Sequence, residues 1–169
     1  ELVVVVELGA RRSLMAIVAR GEVLLAREPA LGSDSLTEAL MGQVTVGQDT
    51  IQLSWEEAER LKRQWGLHLE EEAGGPGRLS VATYRALIAP VLGQWLEEIR
   101  RTITFGTQDH PEGEPRRVLL CGSGAQLKGF DAWLSRGLGL PVEQMAVEPF
   151  LGQDRPDFAA VCGLLLADE

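Results

Sequence analysis

Two histidines, two cysteines and one tyrosine are all that this 169-residue chain holds of those types, and aromatic residues make up only 5% of it. So thin a supply of imidazole and thiol excludes whole classes of chemistry. Neither His68 nor His110 stands near a cysteine, so a zinc site or a histidine-based triad has no foundation. Cys121 and Cys162 each fall in an apolar run, where they read as small core residues in a reducing setting rather than as a disulfide framework. Cations are short as well: 16 Lys and Arg face 25 Asp and Glu, a formal charge of −9. The basic pairs Arg11-Arg12, Arg100-Arg101 and Arg116-Arg117 are scattered, which argues against nucleic acid as a partner. Long hydrophobic runs are also missing. No stretch approaches the roughly 18 apolar residues of a membrane span, and the opening LVVVVEL has neither the length nor the basic flank of a signal peptide, so a soluble protein is expected. The chain opens at Glu1, without a methionine, directly on a strong strand pattern, and this is the expected mark of a piece of something longer.

What the chain does contain is a 45% apolar share, enough for one globular domain with a proper core and a small additional lobe. Leu2 to Leu8, Leu14 to Ala19 and Val23 to Arg27 are apolar segments separated by Gly9 to Ser13 and by Gly21-Glu22, which predicts a three-stranded antiparallel meander. A short helix follows around Leu36, Ala39 and Leu40, and then a glycine-punctuated polar connection from Gly42 to Asp49. A lobe boundary is expected near Gly42. Ser54-Trp55-Glu56-Glu57 is a capping box, so a helix starts at Trp55, with Trp55, Ala58, Leu61 and Trp65 on a core-facing stripe and Gly66 placed to end it in a left-handed conformation. Glu70 to Arg78 is acidic and then glycine-rich, and reads as an exposed loop.

From Ser80 to about Phe105 apolar residues keep helical spacing over several turns, with Pro90 inside expected to kink or split the helix. Arg117 to Phe130, RVLLCGSGAQLKGF, then joins a buried-strand run to a glycine turn and a helix start. Glycines at Gly122 and Gly124 either let a ligand approach the backbone or serve only the dihedrals of a tight turn. Leu127 to Leu138 should be a helix ended near Gly139, Val142 to Val147 a strand, and Phe158 to Ala167 a closing helix. Strands alternate with helices, so the class is α/β.

Three local features can converge on one ligand: the carboxylate and glycine hairpin Glu7 to Ser13, the Glu59-x-x-Lys62 pair, and the Gly122-Ser123-Gly124 turn. By themselves Glu59 and Lys62 read as a solvated i,i+3 pair, while Glu7 reads equally as the surface end of a strand and Gly9 as serving a hairpin alone. Their order along the chain resembles the second half of the fold shared by actin, the heat-shock chaperone ATPases and sugar kinases. Within that superfamily the chain is similar to the PilM family of type IV pilus assembly, itself similar to FtsA. The likeness is carried by Val3 to Arg27 and by LSWEEAERLKRQWG (Leu53 to Gly66), LGQWLEEIRRTITF (Leu92 to Phe105), LLCGSGAQLKGFDAWL (Leu119 to Leu134) and FAAVCGLLL (Phe158 to Leu166).

This resemblance implies an actin-like, ribonuclease H-like α/β subdomain: the meander plus parallel strands with helices packed on the sheet. Residues 1–42 and 80–169 would form the core subdomain and 43–79 a small inserted lobe. It implies that Gly9 and Ala10 approach nucleotide phosphates, that Glu59 and Lys62 contact ribose and adenine, and that Gly122, Ser123 and Gly124 form the turn beneath the adenosine. Glu7 stands where the family usually carries an aspartate. The additional methylene displaces the carboxylate by about 1 Å, a shift that can cost on the order of a hundredfold in a catalytic geometry. The implied function is therefore assembly rather than turnover. ATP, with Mg in the intact protein, would act as a structural clamp, bound weakly or not at all by this half alone. The implied partner is the short cytoplasmic tail of a PilN-like protein, which would hold the chain peripherally on the cytoplasmic face of the inner membrane. An alternative is half of a sugar- or acetate-kinase-type phosphotransferase, which would need Glu7 as base near the hairpin. A Rossmann-like dinucleotide site is disfavoured, because Leu127 stands where the third glycine of G-x-G-x-x-G should fall.

Overall fold

A computed structural model describes residues 1–46, 48–67, 79–108, 110 and 113–146. The β-branched run at the start becomes β1 (Leu2–Leu8), the middle of a five-stranded sheet. β2 (Ser13–Ala19) pairs antiparallel with it, and β3 (Glu22–Arg27) pairs antiparallel with β2. The β2–β3 turn is made at Arg20 and Gly21, both with positive φ, as a two-residue hairpin demands. On the other side of β1 lie β6 (Arg117–Cys121) and β7 (Val142–Gln144), both parallel, giving the order β3-β2-β1-β6-β7. A half-antiparallel, half-parallel sheet carrying helices matches the architecture read from the sequence.

Alternation along β1 sets the layers. Leu2, Val4, Val6 and Leu8 are buried while Val3, Val5 and Glu7 are half-buried, so one face meets the main core. Helices α1 (Asp34–Leu40), α2 (Trp55–Trp65), α3 (Val81–Thr107) and α4 (Phe130–Leu138) contribute their buried side chains to that same core. Trp95 from α3 and Phe130 from α4 meet edge to face, with ring centroids 5.1 Å apart at 85°. Thr102 and Glu98 of α3 reach Arg27 of β3, at 3.4 Å and 3.3 Å, and fix the far end of α3 to the sheet edge.

Several local expectations are corrected. The polar stretch after Gly42 is a small hairpin, β4 (Val44–Val46) with β5 (Asp49–Ile51), because Val44, Thr45, Val46 and Ile51 supply enough strand character on either side of the turn. Pro90 does not split α3. Its exposed position, ten residues into a 27-residue helix that buries Tyr84, Ile88, Trp95 and Ile99, lets tertiary packing override the lost backbone donor. Trp55 does not share the core stripe of α2; it is 40% exposed, while Ala58 and Leu61 are buried. Gly66 has positive φ, 54°, but its ψ of −130° lies outside the left-handed helical region, because the chain turns there onto the backbone of Lys128. After β6 a 3-10 turn (Ser123–Gln126) comes first and α4 starts only at Phe130, behind a left-handed Gly129. The predicted loop at Glu70 to Arg78, the end of the predicted strand at Val147, the closing helix Phe158 to Ala167 and Cys162 lie outside the described residues.

Candidate functional site

Between the hairpin after β1, the start of α1, the face of α2 and the turn after β6 lies a cleft of about 470 Å³. Ala10 comes from the hairpin; Ser33 and Asp34 come from the entry to α1; Glu59, Lys62 and Arg63 come from α2; Ser123, Gly124, Gln126 and Leu127 come from the last turn. Five of the eight residues singled out in the sequence therefore line one space: Ala10, Glu59, Lys62, Ser123 and Gly124. Glu7, Gly9 and Gly122 do not.

Each of those three has a structural reason. Glu7 sits on β1 opposite Leu14 and Cys121, on the sheet face away from the main core. Burial first, and the Glu7 charge second, push the Cys121 thiol up to about 11. Gly9 donates its N–H to Arg12 O at 3.0 Å inside the hairpin and accepts from Ser33 N at 2.9 Å, so both its backbone groups are spent. Gly122 has a φ of 85°, and a Cβ there would stand 2.7 Å from Leu8 O. A Cβ on Gly124 would run into the Leu8 side chain. The glycines of this turn are accordingly fixed by close approach to the end of β1, and the exposed Ser123 is the side chain the turn offers to the cleft.

Glu59 and Lys62 are not a solvated pair. Lys62 is 5% exposed, and its Nζ lies 2.7 Å from Glu59 Oε2 and donates to Ser33 O at 3.2 Å. Thr37, fully buried on α1, donates its hydroxyl to the same Oε2 at 2.7 Å, and Arg63 Nε donates to Oε1 at 2.7 Å. Burial alone would raise the Glu59 carboxyl, but the hydrogen bonds from Lys62, Thr37 and Arg63, with the Lys62 charge, outweigh it and bring it down to about 2. The α2 end is docked independently: Leu67 N donates to Lys128 O at 2.7 Å, Lys128 Nζ donates to Gln64 O at 2.9 Å, and the buried Tyr84 hydroxyl donates to Gly66 O at 3.1 Å. The cleft walls are thus tied together by side chains and by backbone.

Ser33, Asp34, Thr37, Arg63 and Gln126 were not picked out from the sequence. Arg63 was available as the i+4 partner of Glu59. Gly32-Ser33-Asp34 was a second glycine turn opening a helix, and Thr37 one turn further on had no local signal at all. Chemically, a carboxylate held near 2 accepts hydrogen bonds but is a poor base at neutral pH. Lys62 has one N–H left after Glu59 and Ser33, so the cleft suits binding through hydroxyl and N–H donors and acceptors. Glu7, the base that a phosphotransferase reading needs, does not line it. Among the described residues no group of three His, Cys, Asp or Glu side chains is placed to hold a metal ion, and no helix is long and apolar enough to cross a membrane.

Among solved structures, the chain is similar to a PilM–PilN type IV pilus biogenesis complex at 22% identity and a TM-score of 0.71, covering 99% of this chain and 46% of that one. It is similar to MreB5 of Spiroplasma citri bound to ADP (13%, TM-score 0.67, 98% and 53%). The ethanolamine utilization protein EutJ from Carboxydothermus hydrogenoformans is a third (22%, TM-score 0.58, 88% and 45%). These likenesses show an actin-like fold, of which the chain spans about half the length in each case. A search of curated protein sequences gives no match. The sequence profile described as type IV pilus assembly protein PilM matches residues 1–156, and the chain belongs to that family.

Proposed function

We propose that the chain supplies the second-lobe half of an actin-like pilus assembly protein, in which nucleotide acts as a structural clamp and not as a substrate for turnover. The single observation that carries this reading is the cleft that gathers the hairpin, the Glu59–Lys62 pair and the Ser123–Gly124 turn. In this reading Glu59 and Lys62 meet the nucleoside, Ser123 and Gly124 lie beneath it, and Ala10 stands on the phosphate side. ATP fits the donor set, since the lining offers two cations and two carboxylates together with hydroxyl and amide groups. Magnesium would be held by the phosphates and by residues of the other lobe, because Glu7 faces away. Residues 43–79, which include β4, β5 and α2, form the small lobe on a core made of 1–42 and 80–169.

The solved complex of a PilM with PilN supports a PilN-like protein as partner. In this reading the partner engages through its short cytoplasmic tail and holds the chain in a cytoplasmic position peripheral to the inner membrane. Titration calorimetry tests the clamp. In this reading a full-length protein carrying this sequence binds ATP–Mg, whereas these 169 residues, which span about half the length of the PilM they resemble, bind it feebly or not at all, because the rest of the phosphate cradle would lie in the other half. Micromolar affinity for the 169-residue chain sinks the clamp. Failure of a PilN-like tail to capture the well-folded full-length protein sinks the partner assignment.

A further inference from the structure

A buried threonine in a helix ordinarily returns its hydroxyl to the carbonyl four residues back. In α3 the buried Thr102 does so, donating to Glu98 O at 2.8 Å, as does the exposed Thr104, to Arg100 O at 3.0 Å. Thr37 does not. The oxygen four residues before it, Ser33 O, accepts from Lys62 Nζ at 3.2 Å, and the Thr37 hydroxyl crosses to α2 and donates to Glu59 Oε2 at 2.7 Å. That oxygen also takes Lys62 Nζ at 2.7 Å, so two buried donors fix it. The other oxygen, Oε1, has Arg63 as its partner, and that side chain is 78% exposed. A carboxylate accepts about four hydrogen bonds, and an exposed i,i+4 pair is weak enough to yield to a ligand.

We propose that Thr37 is a positioning residue for the cleft: it anchors Glu59 through Oε2 so that Oε1 is the oxygen offered to the hydroxyls of a bound nucleoside. The proposal rests on the nucleotide reading above. Its test is a comparison of ADP with 2′,3′-dideoxy-ADP on the full-length protein, by calorimetry, for wild type, Thr37→Val and Thr37→Ser. The valine variant keeps the shape and removes the donor, so ADP affinity falls about tenfold while dideoxy-ADP affinity changes less than about twofold; serine restores wild-type binding of both. A purely packing role for Thr37 predicts equal loss on the two probes, and that result, or no loss on either, overturns the proposal while leaving the nucleotide reading intact. If wild type binds neither probe, the nucleotide reading falls and takes this proposal with it. Should Thr37→Val fail to fold, Thr37→Ala against Thr37→Ser carries the same comparison.

Discussion

At the scale of single residues, Glu59 ties α1 to α2 through Thr37 and Lys62 and is also the carboxylate to which the proposed reading gives recognition. Replacing Lys62 by Met leaves Glu59 partly buried with half of its Oε2 partners gone and Ser33 O without its side-chain donor, so Lys62→Met should cost about 3 kcal/mol in urea unfolding. The pH dependence follows from the lowered carboxyl. Glu59 titrates at about 2 when folded against an ordinary 4.5, so its contribution is complete above pH 4.5 and drains away as the pH falls through about 2. Acid unfolding of the wild type therefore carries a limb in that window which Glu59→Gln lacks, measurable by circular dichroism against pH. Gly122→Ala sets a Cβ against Leu8 O at a φ of 85°, and should cost about 3 kcal/mol by the same urea assay. The i,i+3 spacing made the pairing of Glu59 with Lys62 legible in the sequence, whereas only the family resemblance pointed to a site there. Thr37 and Ser33 were not, because they lie 22 and 29 residues away and meet the pair only through the packing of α1 on α2. Gly122 and Gly124 were legible as a turn, but their cause, the end of β1, is a contact between distant strands that no local pattern encodes.

Helices and strands were legible wherever a local rule had no competitor. The capping box at Ser54 placed the start of α2 correctly, with Glu57 N donating to Ser54 Oγ at 3.3 Å and Ser54 N to Glu57 Oε2 at 2.9 Å. Ser54→Ala should lower stability by about 1 kcal/mol, read as a drop in Tm. Where tertiary packing competes, local rules mislead. Pro90 read as a kink or a split, and α3 runs through it without splitting; because the proline is exposed and mid-helix, Pro90→Ala should raise stability by about 2 kcal/mol in denaturant unfolding. An unchanged midpoint would mean that α3 bends at Pro90 to follow the sheet and that the bend itself is stabilising. The β4–β5 hairpin escaped because three-residue strands lie below the length at which alternation is readable.

On the scale of the whole molecule, the strand meander, the alternation with helices and the order of the three cleft features pointed to the actin-like half, and the family match over residues 1–156 agrees. What composition could not supply was the sheet order, since β6 inserts beside β1 from far along the chain. That placement has a kinetic consequence. Val3 and Arg117 are register partners although well over a hundred positions lie between them, so β1 must wait for a strand far along the chain before its second edge is satisfied. The β1–β2–β3 meander can zip locally, whereas the β1–β6 seam closes only after a large loop has been paid for in entropy. Pulse-labelled hydrogen exchange during refolding should find the amides of β2 protected early and those of Leu119 and Cys121 late. Until that closing step the open side of β1 is an unpaired apolar edge, and a nascent chain is most vulnerable to misassociation there.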